Sequence, residues 1–141
     1  EQPYLQYRVT ARDPSPAGSW AIVELDWDFP PYLRPLSGSA GAPRVAVTPR
    51  QTVSGMVLDV AYQYAHQKGV AEAGTHIRLY QRAASGATCL LLEQVGPGPV
   101  AVPAGTTGAV FVSVEPSTAT KRGPAYQSDP VTIGAGAGRC S

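Results

Sequence analysis

The sequence predicts an all-β fold, an antiparallel β-sandwich, on three observations. Helical periodicity is nearly absent. Short runs that alternate apolar and polar residues recur along the chain. Turn-forming clusters separate them, drawing on 15 Gly and 14 Pro in 141 residues. Alternation of period 2 between such breakers is the pattern of half-buried strands joined by tight connections.

The first forty residues alternate most clearly. Over Leu5–Arg12 the odd positions are apolar and the even ones polar, and Ala21–Phe29 repeats this with Ile22 as the exception. Between them, Asp13-Pro14-Ser15-Pro16-Ala17-Gly18-Ser19 is turn chemistry throughout. An antiparallel hairpin therefore sets Val9 opposite Val23, Tyr7 opposite Leu25 and Leu5 opposite Trp27. Its other face pairs Arg8 with Glu24 and Gln6 with Asp26. A slip of one residue would spoil both faces.

Pro30-Pro31-Tyr32-Leu33-Arg34-Pro35, followed by Gly- and Ser-rich residues to Gly41, reads as a linker. The expected organisation is a hairpin extension with linker over 1–41 and a sandwich domain with a C-terminal tail over 42–141. Strands are expected at 44–48, 55–66, 75–82, 88–94, 100–102, 108–115 and 129–133. The segment 54–73 contains helix formers, but Met56, Leu58, Val60, Tyr62 and Tyr64 alternate, which favours a strand to Tyr64 and a helical turn near 70–73.

From Ala42 to about Gly134 the order of strands and turns resembles a fibronectin type III domain. Ala104-Gly105-Thr106-Thr107-Gly108 leading into Ala109–Val114 is similar to that family's turn and sixth strand. Tyr126-Gln127-Ser128-Asp129-Pro130-Val131-Thr132-Ile133 is similar to its closing strand. The resemblance implies an immunoglobulin/fibronectin-III-like sandwich carrying an N-terminal β-hairpin extension. It also implies that Tyr62 or Tyr64 fills the core position where the family carries a tryptophan.

Charge and cysteine usage narrow the function classes. A net charge of +1, with the basic residues scattered, gives no phosphate-binding stripe, so nucleic acid and anionic membrane surfaces are not expected partners. No apolar run reaches the length of a membrane span. The sequence starts at Glu1 rather than Met, which is expected of an exported chain after signal-peptide removal. Cys89 and Cys140 form no Cys-x-x-Cys pair, and with only His66 and His76 beside them they make a poor zinc set. A disulfide pinning the tail fits an extracellular or cell-surface location; two unrelated thiols are the alternative.

No catalytic motif is present, and two histidines without a sequence-adjacent carboxylate suggest no acid–base pair. The protein is expected to be non-enzymatic, without cofactor or metal. Glu24, Asp26 and Asp28 share one strand face, where carboxylates spaced by about 7 Å cannot converge on a calcium ion unaided. Salt-bridging to Arg8 and Arg12 accounts for them.

The interaction candidates are Tyr7, Val9, Leu25, Trp27, Phe29, Tyr32 and Leu33. Trp27 and Phe29 are expected to pack inward, whereas Tyr32 and Leu33 sit among prolines and suit either partner contact or packing on their own domain. A two-stranded hairpin is marginal by itself. It must cover its apolar face in its own chain or on a neighbour. The function expected is a structural subunit of an extracellular filament, sheath or surface assembly, which polymerises by docking its N-terminal strands on a neighbouring subunit. Its partner is then itself or another surface protein. The alternative is a carbohydrate-binding or adhesion module using the N-terminal aromatics, Tyr4 and Trp20 included, with a glycan as partner.

Overall fold

The computed structural model describes residues 7–10, 24–27, 29–66 and 69–136. Among them every regular element is a strand: β1 (Tyr7–Thr10), β2 (Glu24–Trp27), β3 (Tyr32–Arg34), β4 (Val45–Thr52), β5 (Gly55–Ala65), β6 (His76–Arg82), β7 (Thr88–Val95), β8 (Val100–Ala101), β9 (Gly108–Glu115), β10 (Tyr126–Gln127) and β11 (Val131–Ile133). The expected helical turn at 70–73 is not formed. Those residues run without regular structure into β6.

Two antiparallel sheets carry the fold. In one, β5 is central, with β4 on one side and β3 and β8 pairing along it. In the other the order is β10-β9-β6-β7, and β11 continues the pairing along β9 beyond β10. Strands β6 and β9 show how sequence sets the core. Ile77 lies opposite Val114 and Leu79 opposite Val112, and all four are buried. Leu33, Val45, Leu58 and Val100 of the first sheet belong to the same apolar cluster as Ile77, Leu79, Val110, Val112, Val114 and Ile133 of the second. The architecture is thus sandwich-like, two sheets sharing one core.

The alternation in β5 holds. Leu58 is buried, and Met56, Val60 and Tyr62 pack against the cluster from the same side of the strand. Gln81 continues the buried stripe of β6, and its side-chain amide donates to the Thr107 carbonyl, which satisfies a polar group that burial would otherwise penalise. Pairing along β6 and β7 skips one residue: Leu79 faces Leu92 while Tyr80 faces Leu90. Leu91 is the extra residue of a β-bulge on β7.

Two expectations need correction. The linker over 30–41 contains a strand: Tyr32, Leu33 and Arg34 pair with Ala65, Tyr64 and Gln63. Leu33 is 0% exposed and Pro31 is also fully buried, so this segment belongs to the core, and the sheet begins ten residues before Ala42. Proline density suggested a spacer, but a proline before a short edge strand costs no ladder hydrogen bond. The second correction is one of register. Strands β1 and β2 do pair antiparallel, with Tyr7 opposite Trp27, Arg8 opposite Asp26, Val9 opposite Leu25 and Thr10 opposite Glu24. Every partner is two residues further along than the charge and apolar pairing suggested. A shift of two keeps odd residues opposite odd ones, so alternation alone could not select between the registers. The segment 11–23 that would join them lies outside the described residues.

Candidate functional site

Among the sequence-predicted interaction residues, Tyr7, Val9, Leu25 and Trp27 lie on a two-stranded ladder that is hydrogen-bonded to neither larger sheet among the described residues. Arg8, Glu24 and Asp26 lie on the same ladder. Arg12, Asp28, Tyr4, Trp20 and Cys140 lie outside the described residues. Phe29 stacks on His66, with ring centroids 5.1 Å apart and planes at 16°, and leans against Tyr32 at 6.3 Å. That contact ties Phe29 to the residue that follows β5. Tyr32 is half-buried and Leu33 is inside, so neither forms an open aromatic platform.

The four sheet edges differ, and sequence chemistry explains why. Edge strand β4 contains Pro49 and a charged pair: Arg50 donates from Nε and Nη2 to Asp59 at 2.8 and 3.0 Å. This fork holds the Asp59 carboxyl below the ordinary carboxylate range. Proline and charge are the usual protections of an edge. On the far side of that sheet, β3 and β8 are only three and two residues long. Strands β10 and β11 are equally short and are separated by Asp129-Pro130.

Strand β7 lacks the proline and keeps one charge, Glu93, which pairs with Arg78 on β6 at 2.8 Å. Its eight residues, Thr-Cys-Leu-Leu-Leu-Glu-Gln-Val, contain no proline and one charge, and it pairs only with β6 among the described residues. Leu90 is 52% exposed and Val95 66% exposed. The bulge at Leu91 is its one irregularity. Sequence reasoning identified this strand but not its position at an edge, because edge placement depends on which strands pair.

A second cluster went unnoticed because its members are distant in sequence. At the end of β9, Glu115 Oε1 lies 3.9 Å from His76 Nδ1, 3.8 Å from Arg78 Nη1 and 3.9 Å from Arg122 Nη1. These are ion pairs rather than hydrogen bonds, and both Glu115 Oε1 and His76 Nδ1 are buried without a hydrogen-bond partner. Arg78 directs its Nε to Glu93 at 2.8 Å. The loop 116–123 beside them is braced internally: Thr118 N–H donates to the Lys121 carbonyl at 2.8 Å and Lys121 N–H donates to Thr118 Oγ1 at 3.0 Å. It is also tied to the segment that leads into β6, since Ala73 N–H donates to the Ser117 carbonyl at 2.8 Å and Ser117 N–H to Thr75 Oγ1 at 3.3 Å.

Among the described residues no group of three or more His, Cys, Asp or Glu is placed to hold a metal ion, and no helix is long and apolar enough to cross a membrane. No protein-family model matches the chain, and neither does any curated protein or solved structure.

Proposed function

We propose that this protein is a non-enzymatic, exported structural subunit of an extracellular filament, sheath or surface assembly, built by docking the β1–β2 pair of one copy on the β7 edge of the next. The carrying observation is the contrast among edges: two are made of strands of two or three residues and one contains Pro49, while β7 is eight residues long without proline and exposes Leu90 and Val95. An edge of that kind accepts another strand through its free main-chain groups. The donor is argued from the same molecule. Among the described residues the β1–β2 ladder pairs with neither larger sheet, and two strands alone are marginal in water. Docking copy on copy by unlike surfaces is heterologous, and it generates a ring or a filament.

The finer fold assignment belongs to the same reading. The strand order β4-β5-β8 against β7-β6-β9 with β10 and β11 supports an immunoglobulin/fibronectin-III-like sandwich, with β3 as an added strand. A Cys89–Cys140 disulfide and an extracellular location complete it.

Light scattering after size-exclusion chromatography, with electron microscopy of concentrated samples, tests the proposal. Wild type should form assemblies that grow with concentration. Leu90→Lys, a charge on the exposed edge, should remain monomeric with unchanged far-UV circular dichroism, and a chain starting at Phe29, which lacks β1 and β2, should remain monomeric with a cooperative thermal transition. A wild type that stays monomeric at high concentration would overturn it.

A further inference from the structure

A cleft of about 440 Å³ opens at the end of the β7 edge. Ala73, Gly74, His76 and Val95 form one wall, and residues 117–122 form the other. The volume is in the range that holds a small organic molecule, and so an aromatic side chain with some of its main chain. The loop wall is preorganised. Besides the bonds above, Ser117 Oγ donates to the Thr118 carbonyl at 3.0 Å, Gly123 N–H donates to the Pro116 carbonyl at 2.8 Å, and Ser117 and Arg122 form a β-bridge. Little order then has to be created on binding. The cleft is also continuous with the edge. Val95, 66% exposed, is both the last residue of β7 and part of the lining. Gly96 N–H donates to the Thr75 carbonyl at 2.8 Å, which keeps the end of β7 bound to the start of β6 up to the mouth.

The faces of β7 decide which strand an incoming copy offers and which way it runs. Leu90, Glu93 and Val95 lie opposite Tyr80, Arg78 and His76, which are alternate residues of β6, so the three share one face of the sheet. Leu92 packs against the core from the other face. An added strand therefore turns its apolar positions towards Leu92 and its polar ones beside Leu90, Glu93 and Val95. In β1 the polar positions are Arg8 and Thr10, and in β2 they are Glu24 and Asp26. Glu93 is the one charge on β7, with its side chain 40% exposed and bonded to Arg78. Arg8 beside it brings an opposite charge, whereas β2 would bring like ones, which are destabilising when they face each other across strands. Every ladder among the described residues is antiparallel, and β1 in that sense points its N-terminal end at Val95.

We propose that the cleft receives Tyr4 of the incoming copy, whose β1 pairs antiparallel with β7 and sets Arg8 opposite Glu93. This rests on the edge docking proposed above and fixes its strand, direction and register. With Arg8 opposite Glu93, Gln6 falls opposite Val95, and Tyr4 falls two residues further on, about 7 Å past the end of the edge. Tyr4, Gln6 and Arg8 are alternate residues, so an extended chain keeps Tyr4 on the face of Val95 and His76, both of which line the cleft. The ring meets Val95, Ala73 and Ala119, the apolar part of the lining. An aromatic side chain in a preformed recess at the end of a paired strand is a common anchor of such contacts: main-chain bonds hold the strand and the recess sets its register.

Light scattering across a concentration series of full-length variants tests this. Tyr4→Ala removes the anchor, and Ala119→Phe fills the cleft from an exposed position of the loop. Each should raise the concentration at which assemblies form by roughly tenfold or more, the usual effect of losing an aromatic anchor. Both should keep the wild-type thermal midpoint. Arg8→Glu should also weaken assembly, and Arg8→Glu with Glu93→Arg in one chain should recover part of it. A peptide of residues 2–10 added in excess to wild type should shorten the assemblies, and the same peptide with Tyr4→Ala should do so less. Wild type that assembles, is blocked by Leu90→Lys and is unmoved by Tyr4→Ala and Ala119→Phe would leave the edge docking standing and overturn the cleft assignment. Equal competition by the two peptides would overturn it as well. Assembly unmoved by Arg8→Glu would overturn the register. Wild type that stays monomeric would remove the docking itself, and this inference with it.

Discussion

At the scale of single residues, the polar contacts of the Tyr62 phenol are the most informative. Tyr62 is partly buried against the core and donates its hydroxyl to Glu72 Oε2 at 2.8 Å, an oxygen that also accepts from Thr75 Oγ1 at 2.5 Å. Thr75 is buried and in turn accepts from Ser117 N–H, so this chain of bonds links β5 to the loop 116–123. Burial first, then the hydrogen bond to Glu72 and its charge, push the Tyr62 phenol far above the ordinary tyrosine value of 10.0. Tyr64 is pushed the same way, by burial and by Glu72. A group whose folded pKa is raised contributes stability that is complete below its unfolded pKa and is lost as pH rises toward the folded one. Stability should therefore be indifferent to Tyr62 below about pH 10 and fall above it. Tyr62→Phe should cost about 1 kcal/mol at neutral pH, the worth of one hydrogen bond, and should flatten the alkaline fall. Chemical denaturation at pH 7 and pH 11 measures both. If every tyrosine ionised together near pH 10 with the fold intact, this account of Tyr62 would be wrong.

Among the elements, β3 is the one the sequence concealed, and its packing shows why it cannot be a spacer. A Cβ built on Gly123 would lie 1.8 Å from the Pro31 carbonyl oxygen and 2.9 Å from its carbon. The entry to β3 and the loop after residue 122 thus touch backbone to backbone, where only glycine fits. Gly123→Ala should force the two segments apart and destabilise the protein by roughly 1–3 kcal/mol or more, read as a lowered thermal midpoint. A change within experimental error would mean that the two segments separate at no cost. The longer strands were legible, since β5, β6, β7 and β9 each lie within a residue or so of their alternating runs. Alternation reports burial on one face, and it fades where only three residues are needed, as at Tyr32–Arg34. It is also blind to a shift of two, which is how the β1–β2 partners were displaced. Neither the β7 edge nor the Glu115 cluster had a local signal. One arises from strand order, and the other joins His76, Arg78, Glu115 and Arg122 across three parts of the chain.

For the whole molecule, the proposed assembly requires that the subunit resist conditions outside the cell while exposing an apolar edge. The Cys89–Cys140 disulfide proposed above bears on both requirements. Cys89 sits on β7 itself, two residues after Ala87, and no described cysteine is free. Closing about 50 residues of chain between the two cysteines removes loop entropy from the unfolded state, an effect of roughly 4 kcal/mol at most. The bond would also draw the C-terminal tail to the start of the edge strand. That would confine strand addition to the stretch from Leu90 to Val95, where the exposed apolar residues lie. Thiol titration of the denatured, unreduced chain should find no free thiol, and two after reduction. Reduction, or Cys140→Ser, should lower the thermal midpoint by several degrees or more, as a loss of a few kcal/mol implies in a chain of this size. Two thiols titrating before reduction would remove the disulfide from the reading. The β7 edge would then be left without a covalent boundary, and docking would be expected to extend back to Thr88.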